Sequence, residues 1–178
     1  MNKRSFVEFV VAWILIIIAI VITILPLFGI RNIKNIFLLT ISSYGIIHLF
    51  KNIFILQAKE YSGFSTAGAS AFILIIMLFL DLNESPWNLA LLLFIWIILM
   101  SLIKLKESDY YHDRKNKIWL LNIVNLVLFI VSGILAAISL NYTADIQILV
   151  IGFFFLINGI LELMDPLATY ILEKKEIE

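Results

Sequence analysis

The chain contains no cysteine. This excludes disulfides, thiol nucleophiles and thiolate metal sites, and leaves the redox compartment unmarked. Charge is also scarce. Only 15% of residues are Asp, Glu, Lys or Arg, against roughly 25% in soluble domains. The 13 basic and 13 acidic residues cancel, so no net basic surface points to nucleic acid. The two histidines, His48 and His112, do not make a zinc site with the residues around them. Catalytic constellations are missing too: there is no nucleophile elbow, P-loop or paired-acid motif. Gly68-Ala69-Ser70 lacks a closing glycine and an obvious base. The expectation is a protein that is not an enzyme and carries no metal or cofactor.

What the chain has is apolar length, with 62% hydrophobic residues. Charge-free runs cover Phe9–Ile30, Tyr61–Leu80, Ser85–Ile103 and Ile118–Ala144. Two shorter runs, Asn35–Phe50 and Ile146–Leu161, become full spans once polar residues near one end reach the headgroups. A bilayer core of about 30 Å needs roughly 20 apolar residues as helix. The runs predict six membrane helices over 6–28, 34–56, 62–80, 86–106, 118–140 and 146–165. Fold class is therefore all-α: a polytopic membrane protein whose six helices form three tandem hairpins. A single membrane domain fills 1–178, with hairpins over about 6–56, 62–106 and 118–165 and a short cytoplasmic tail over 166–178. Lys3 and Arg4 resemble the start of a signal peptide, but Phe9–Phe28 exceeds an h-region of about 7–15 residues and no A-x-A site follows. The first helix is expected to be retained.

Punctuation supports these boundaries. Ser85-Pro86 reads as an N-cap followed by proline at the first helical position. Pro26 fits a helix terminus, and Asn141–Asp145 a polar turn. Asp165-Pro166 reads as the N-cap of a short surface helix containing Leu167, Tyr170 and Ile171. The segment Glu107–Lys117 reads as a solvated, mixed-charge turn whose basic end can touch anionic lipid.

Lysine and arginine set the direction. Lys3, Arg4, Lys51, Lys59, Lys104, Lys106, Arg114, Lys115, Lys117, Lys174 and Lys175 fall on one side, and only Arg31 and Lys34 on the other. By the positive-inside rule both termini are expected in the cytoplasm, and the abundance of Ile, Asn and Lys suggests an AT-rich, prokaryotic genome and hence a prokaryotic inner membrane. Tyr61, Tyr110, Tyr111, Trp119 and Tyr170 would mark the inner interface, and Trp87 and Tyr142 the outer one. Asn83-Glu84-Ser85 and Asn141-Tyr142-Thr143 match a glycosylation pattern but sit against the membrane, and read as chance.

A threefold echo is the most specific pattern. Gly45-Ile46-Ile47-His48-Leu49, Ser101-Leu102-Ile103-Lys104-Leu105 and Gly159-Ile160-Leu161-Glu162-Leu163 each read small, apolar, apolar, ionisable, Leu. The spacings are 56 and 58 residues, one hairpin each. Hairpins enter and leave on one side, so their copies are parallel repeats about an axis along the membrane normal.

Three such hairpins, with Gly-Ile-(Leu/Ile) late in the even helices, resemble the HdeD-like acid-resistance membrane proteins. Most of the likeness lies in Val150–Glu162, with Trp13 and Trp119 fitting too. Ser101 departs from it, standing where glycine is expected, and the third helix has its small residues at the start. The resemblance implies a six-helix inner-membrane protein tied to survival in acid, and supplies no catalytic residues.

Intramembrane ionisable residues are functional candidates because burying their charge is costly. His48, Lys104 and Glu162 occupy equivalent repeat positions and are the candidate proton-responsive cluster. Lys51, Lys104 and Asp165 also admit plain snorkelling or capping roles. Ser65, Thr66, Ser70, Asn122, Asn125 and Asn158 are the candidate polar lining of the rival reading, a small channel or transporter for protons or a small solute. Gly45, Gly68, Gly133, Gly152 and Gly159 are expected to seat neighbouring helices through small-residue faces. Expected partners are the lipid bilayer and, as an open alternative, further copies of the chain in a homo-oligomer.

Overall fold

The computed structural model describes residues 3–55, 62–80, 86–113, 118–140 and 142–175. They form α1 (Lys3–Ile24), α2 (Ile33–Ile55), α3 (Ser62–Phe79), α4 (Pro86–Asp113), α5 (Ile118–Ser139) and α6 (Ala144–Lys175). Among the described residues there is no strand. All six helices are long and apolar enough to cross a membrane. The chain is a multi-pass integral membrane protein, and in lipid a helix is the element that satisfies every backbone group within its own segment. Phe72, Ile75, Val127, Leu135 and Phe153 belong to a broad exposed apolar surface. It is the surface that meets acyl chains.

Local chemistry ends the helices. α1 passes into a 3₁₀ turn over Leu25–Phe28, with Pro26 at its start. Gly29 then takes a left-handed φ of 75°, and its N–H donates to the Pro26 carbonyl at 3.0 Å. A side chain is disfavoured at that φ, so glycine closes the turn. The Asn32 side-chain oxygen accepts the Asn35 N–H at 3.1 Å and caps the start of α2. Ser85, Asn83, Asn141, Tyr61, Lys59, Arg114, Lys115 and Lys117 lie outside the described residues.

Two helices run further than the sequence reading places them. α4 continues through Asp113, so most of the expected turn from Glu107 onward is helix. α6 continues through Lys175 with Pro166 inside it. Asp165 is therefore not the cap of a separate surface helix. Proline removes one helical donor and crowds the carbonyl four residues back. Transmembrane helices tolerate this where a neighbour supplies a donor. Beside the proline, the Asn125 amide holds α6 by donating to the Leu161 carbonyl at 3.3 Å and to the Asp165 carboxylate at 3.2 Å; the carbonyl that loses its helical donor is that of Glu162, four residues before Pro166.

The helices close into a ring, with α6 returning to α1. Packing is most extensive between α1 and α6, α2 and α3, and α4 and α5. Contacts of α1 with α2, α3 with α4, and α5 with α6 are sparser. Tight and loose seams thus alternate around the ring, and α2 also touches α6.

Missing side chains make the tight seams. A Cβ at Gly152 would collide with the Thr23 hydroxyl and stand 2.9 Å from the Thr23 nitrogen. One at Gly159 would stand 2.9 Å from Ile16 Cγ1. These glycines, seven apart, seat α1 on α6. Gly45 abuts Ser70 of α3, and Gly133 abuts Ile97 of α4. Gly68 departs from the expectation: it is exposed, and a Cβ there meets nothing within 4 Å. Its turn of α3 faces out of the bundle and seats no helix.

The interior is aromatic. Trp96 is fully buried, with ring centroids 5.2 Å from Tyr44, 6.0 Å from Phe129, 6.1 Å from Phe154 and 5.3 Å from Phe155. Phe37, Leu89, Leu92, Leu93 and Ile151 extend this filling.

Candidate functional site

Polar chemistry gathers at one end of the ring, beside the start of α1 and the end of α6. Near their ends, α2, α4 and α6 each turn one ionisable side chain inward: His48, Lys104 and Glu162. The Glu162 carboxylate oxygen Oε1 lies 3.2 Å from His48 Nε2 and 3.5 Å from Lys104 Nζ. Tyr44, one turn before His48, donates its hydroxyl to the same oxygen at 2.5 Å. The side chains are 8% exposed for His48, 10% for Glu162 and 18% for Lys104, so the attraction is little screened by water.

Aromatic packing holds these groups in place. The Tyr44 ring lies 4.3 Å from that of His48 and packs edge-on against Trp96. Lys104 Nζ sits 5.3 Å from the Phe129 ring centre, a cation–π contact. The aromatic interior therefore forms the wall behind the cluster.

A second ionisable layer lies three residues further along each even helix: Lys51, Glu107 and Asp165. The intervals from Lys51 to Glu107 and from Glu107 to Asp165 are again 56 and 58 residues. A cavity of about 200 Å³ is lined by all six side chains of the two layers. Glu8 of α1, Ser62 and Thr66 of α3 and Thr169 of α6 complete much of its polar wall. Two lysines face four carboxylates there, so with His48 neutral the described lining is net acidic.

The sequence reading names Lys51 and Asp165 but assigns Glu107 to a solvated turn. The repeat interval applied to Lys51 is the signal that reaches it.

The expected polar lining does not form one path. Thr66 lines the cavity, but Ser65 is exposed on the outer face of α3. Ser70 is buried against Gly45 instead. Asn122 and Asn125 line a smaller space of about 30 Å³ beside Lys104, Glu162 and Asp165. Asn158 is buried on α6 one turn before Glu162. Beyond that depth Trp96, Phe129, Phe154 and Phe155 fill the interior.

At the opposite end, Arg31 pairs with Asp145 at 2.9 Å across exposed side chains. Among the described residues, no three His, Asp or Glu side chains are grouped to hold a metal ion. No protein-family model, curated protein or solved structure matches the chain.

Proposed function

We propose that the protein is a non-enzymatic protein of the prokaryotic cytoplasmic membrane that contributes to acid resistance through a proton-responsive cluster of His48, Lys104 and Glu162. One observation carries the reading: α2 and α4 each deliver a basic side chain to one carboxylate of α6 beside a one-sided polar cavity. The eleven-to-two distribution of basic residues turns that cavity toward the cytoplasm, and the resemblance to HdeD-like proteins agrees with the stress role.

Several groups decide how the cluster titrates. Tyr44, His48 and Lys51 face the cavity from α2, and Lys104 and Glu107 from α4. Asp165 joins Glu162 from α6, and Glu8 comes from α1. From α3 and α5 come neutral groups, Ser62, Thr66, Asn122 and Asn125. Protonating Glu162 removes the countercharge of Lys104 and weakens the acceptor of Tyr44. Protonating His48 adds a second cation beside Glu162. Either event changes the attraction that ties α2 and α4 to α6, so acid alters how the inner ends of the even helices pack.

The test is survival of a deletion strain after acid challenge, complemented with wild type or Glu162→Gln. Loss of survival rescued only by wild type is the expected result. Rescue by both variants would return Glu162 to a structural role, and no defect in the deletion strain would end the acid-resistance reading. The aromatic filling beyond the cavity weighs against the rival channel or transporter. Proton or solute flux above background in reconstituted vesicles would reverse that judgement.

A further inference from the structure

α1 and α2 meet along one of the sparser seams, although they are joined by a short connection. The polar cavity lies inside this seam, where Glu8 of α1 and His48 and Lys51 of α2 face it. Outside the seam runs an apolar groove of about 310 Å³, bounded by Val10, Ile14, Ile47, Phe50 and Phe54. That volume falls within the roughly 300–1,000 Å³ of small-ligand sites. Lys51 lines both spaces. It is the one charged residue bordering the groove among the described residues.

We infer that this seam binds a phospholipid with a primary-amine headgroup, phosphatidylethanolamine, its acyl chain in the groove and its headgroup turned into the cavity. The order of groups in that lipid matches the order of groups in the protein. Apolar side chains come first, for the acyl chain. Lys51 follows at the seam, where the phosphate would stand, since basic residues between transmembrane helices hold lipid phosphates. Glu8, Glu107 and Asp165 lie further in, where the ammonium would stand. A glycerol headgroup, as in phosphatidylglycerol, would bring no cation to these carboxylates. A quaternary amine would bring no N–H donor to them.

The inference rests on reading the cavity as a working site, but it concerns Lys51 and the groove rather than the response of Glu162. Lipid retention and acid survival can therefore fail separately.

The experiment is native mass spectrometry of the detergent-purified full chain, titrated with phosphatidylethanolamine, phosphatidylglycerol or phosphatidylcholine of matched acyl chains. Wild type is expected to retain phosphatidylethanolamine over both others. Lys51→Gln should lower that retention about fivefold, the weight of one lysine at a headgroup, and Lys51→Arg should restore it. Arg31→Gln, at the far end, should change nothing. Should Lys51→Gln not fold, Val10→Trp carries the test, because it fills the groove from an exposed position outside the cavity. Equal retention of the three lipids would overturn the inference. So would a preference for phosphatidylglycerol, which would mark a simple anionic-lipid contact, or retention unchanged by either Lys51→Gln or Val10→Trp.

Discussion

Replacing Glu162 by leucine removes the one carboxylate that Tyr44, His48 and Lys104 share. Lys104 is then left with a mostly buried side chain and its nearest countercharge gone. Breaking a buried ion pair from one side costs about 3–5 kcal/mol. The lost Tyr44 hydrogen bond overlaps with that figure, because the groups act as a unit. For a chain of this length the change corresponds to a fall in Tm of about 6–20 °C. Adding Lys104→Met removes the stranded cation as well. A buried pair replaced by apolar groups of similar size is often neutral or stabilising, so Glu162→Leu/Lys104→Met should regain most of the loss. Glu162→Gln keeps an acceptor for Tyr44 and should fall between wild type and Glu162→Leu. Arg31→Gln breaks an exposed pair at the other end and should cost no more than about 1 kcal/mol. The assay is thermal unfolding of the purified full chain in one detergent, with the double-mutant cycle completed by Lys104→Met. A Glu162→Leu protein as stable as wild type would refute the ion cluster. A double variant no better than the single would place the loss on Tyr44 or His48 and refute the Lys104 pairing.

Four further outcomes follow from the packing, their stabilities read by the same unfolding assay. Gly152→Ala should destabilise by about 1–3 kcal/mol, because the new Cβ meets Thr23 backbone; Gly68→Ala should be neutral or stabilise by up to about 1 kcal/mol, because it points into open space. Asn125→Ala should cost about 1–3 kcal/mol, since the Leu161 carbonyl and the Asp165 carboxylate both lose its donor. Trp96→Ala should cost about 3–5 kcal/mol, and the variant should bind apolar dyes at the space it leaves among Tyr44, Phe129, Phe154 and Phe155.

The six spans were legible because the physics that fixes them is one-dimensional: an apolar run either reaches across about 30 Å or does not. Charge ended the fourth helix too early, and proline the sixth. Glu107 looks like a loop residue, yet α4 carries it back to the cavity wall. Pro166 looked like a boundary because its missing donor is visible in the sequence. The amide that braces the turn before it, on the Leu161 carbonyl and the Asp165 carboxylate, belongs to Asn125, far along the chain. Small residues were equally ambiguous. Ser65, Thr66, Gly68 and Ser70 occupy little more than one turn of α3, and only the facing helices decide that Thr66 and Ser70 point inward while Ser65 and Gly68 point out. His48, Lys104 and Glu162 were legible as a set through the repeat interval, whereas their meeting on one oxygen depends on rotamers that no interval encodes.

The mixed composition of these layers has a physical reason if the hairpins are copies of one unit. A parallel threefold arrangement brings equivalent positions of α2, α4 and α6 to the same depth near one axis. Identical ionisable residues there would set like charges against one another. At about 4 Å, and an effective dielectric constant near 20, each such pair costs about 4 kcal/mol. Three lysines or three glutamates are therefore poorly tolerated at His48, Lys104 and Glu162, and likewise at Lys51, Glu107 and Asp165. Divergence to unlike residues turns that repulsion into attraction: the cation of Lys104 and the imidazole of His48 both meet the Glu162 carboxylate. One turn deeper the equivalent positions are Tyr44, Met100 and Asn158, and no charge remains. Tyr44 there bonds to Glu162 and packs on Trp96, so it joins the ionisable mouth to the aromatic interior. Near the axis a layer of three like charges is repulsive, whereas the mixed layer of His48, Lys104 and Glu162 gathers its groups around one carboxylate.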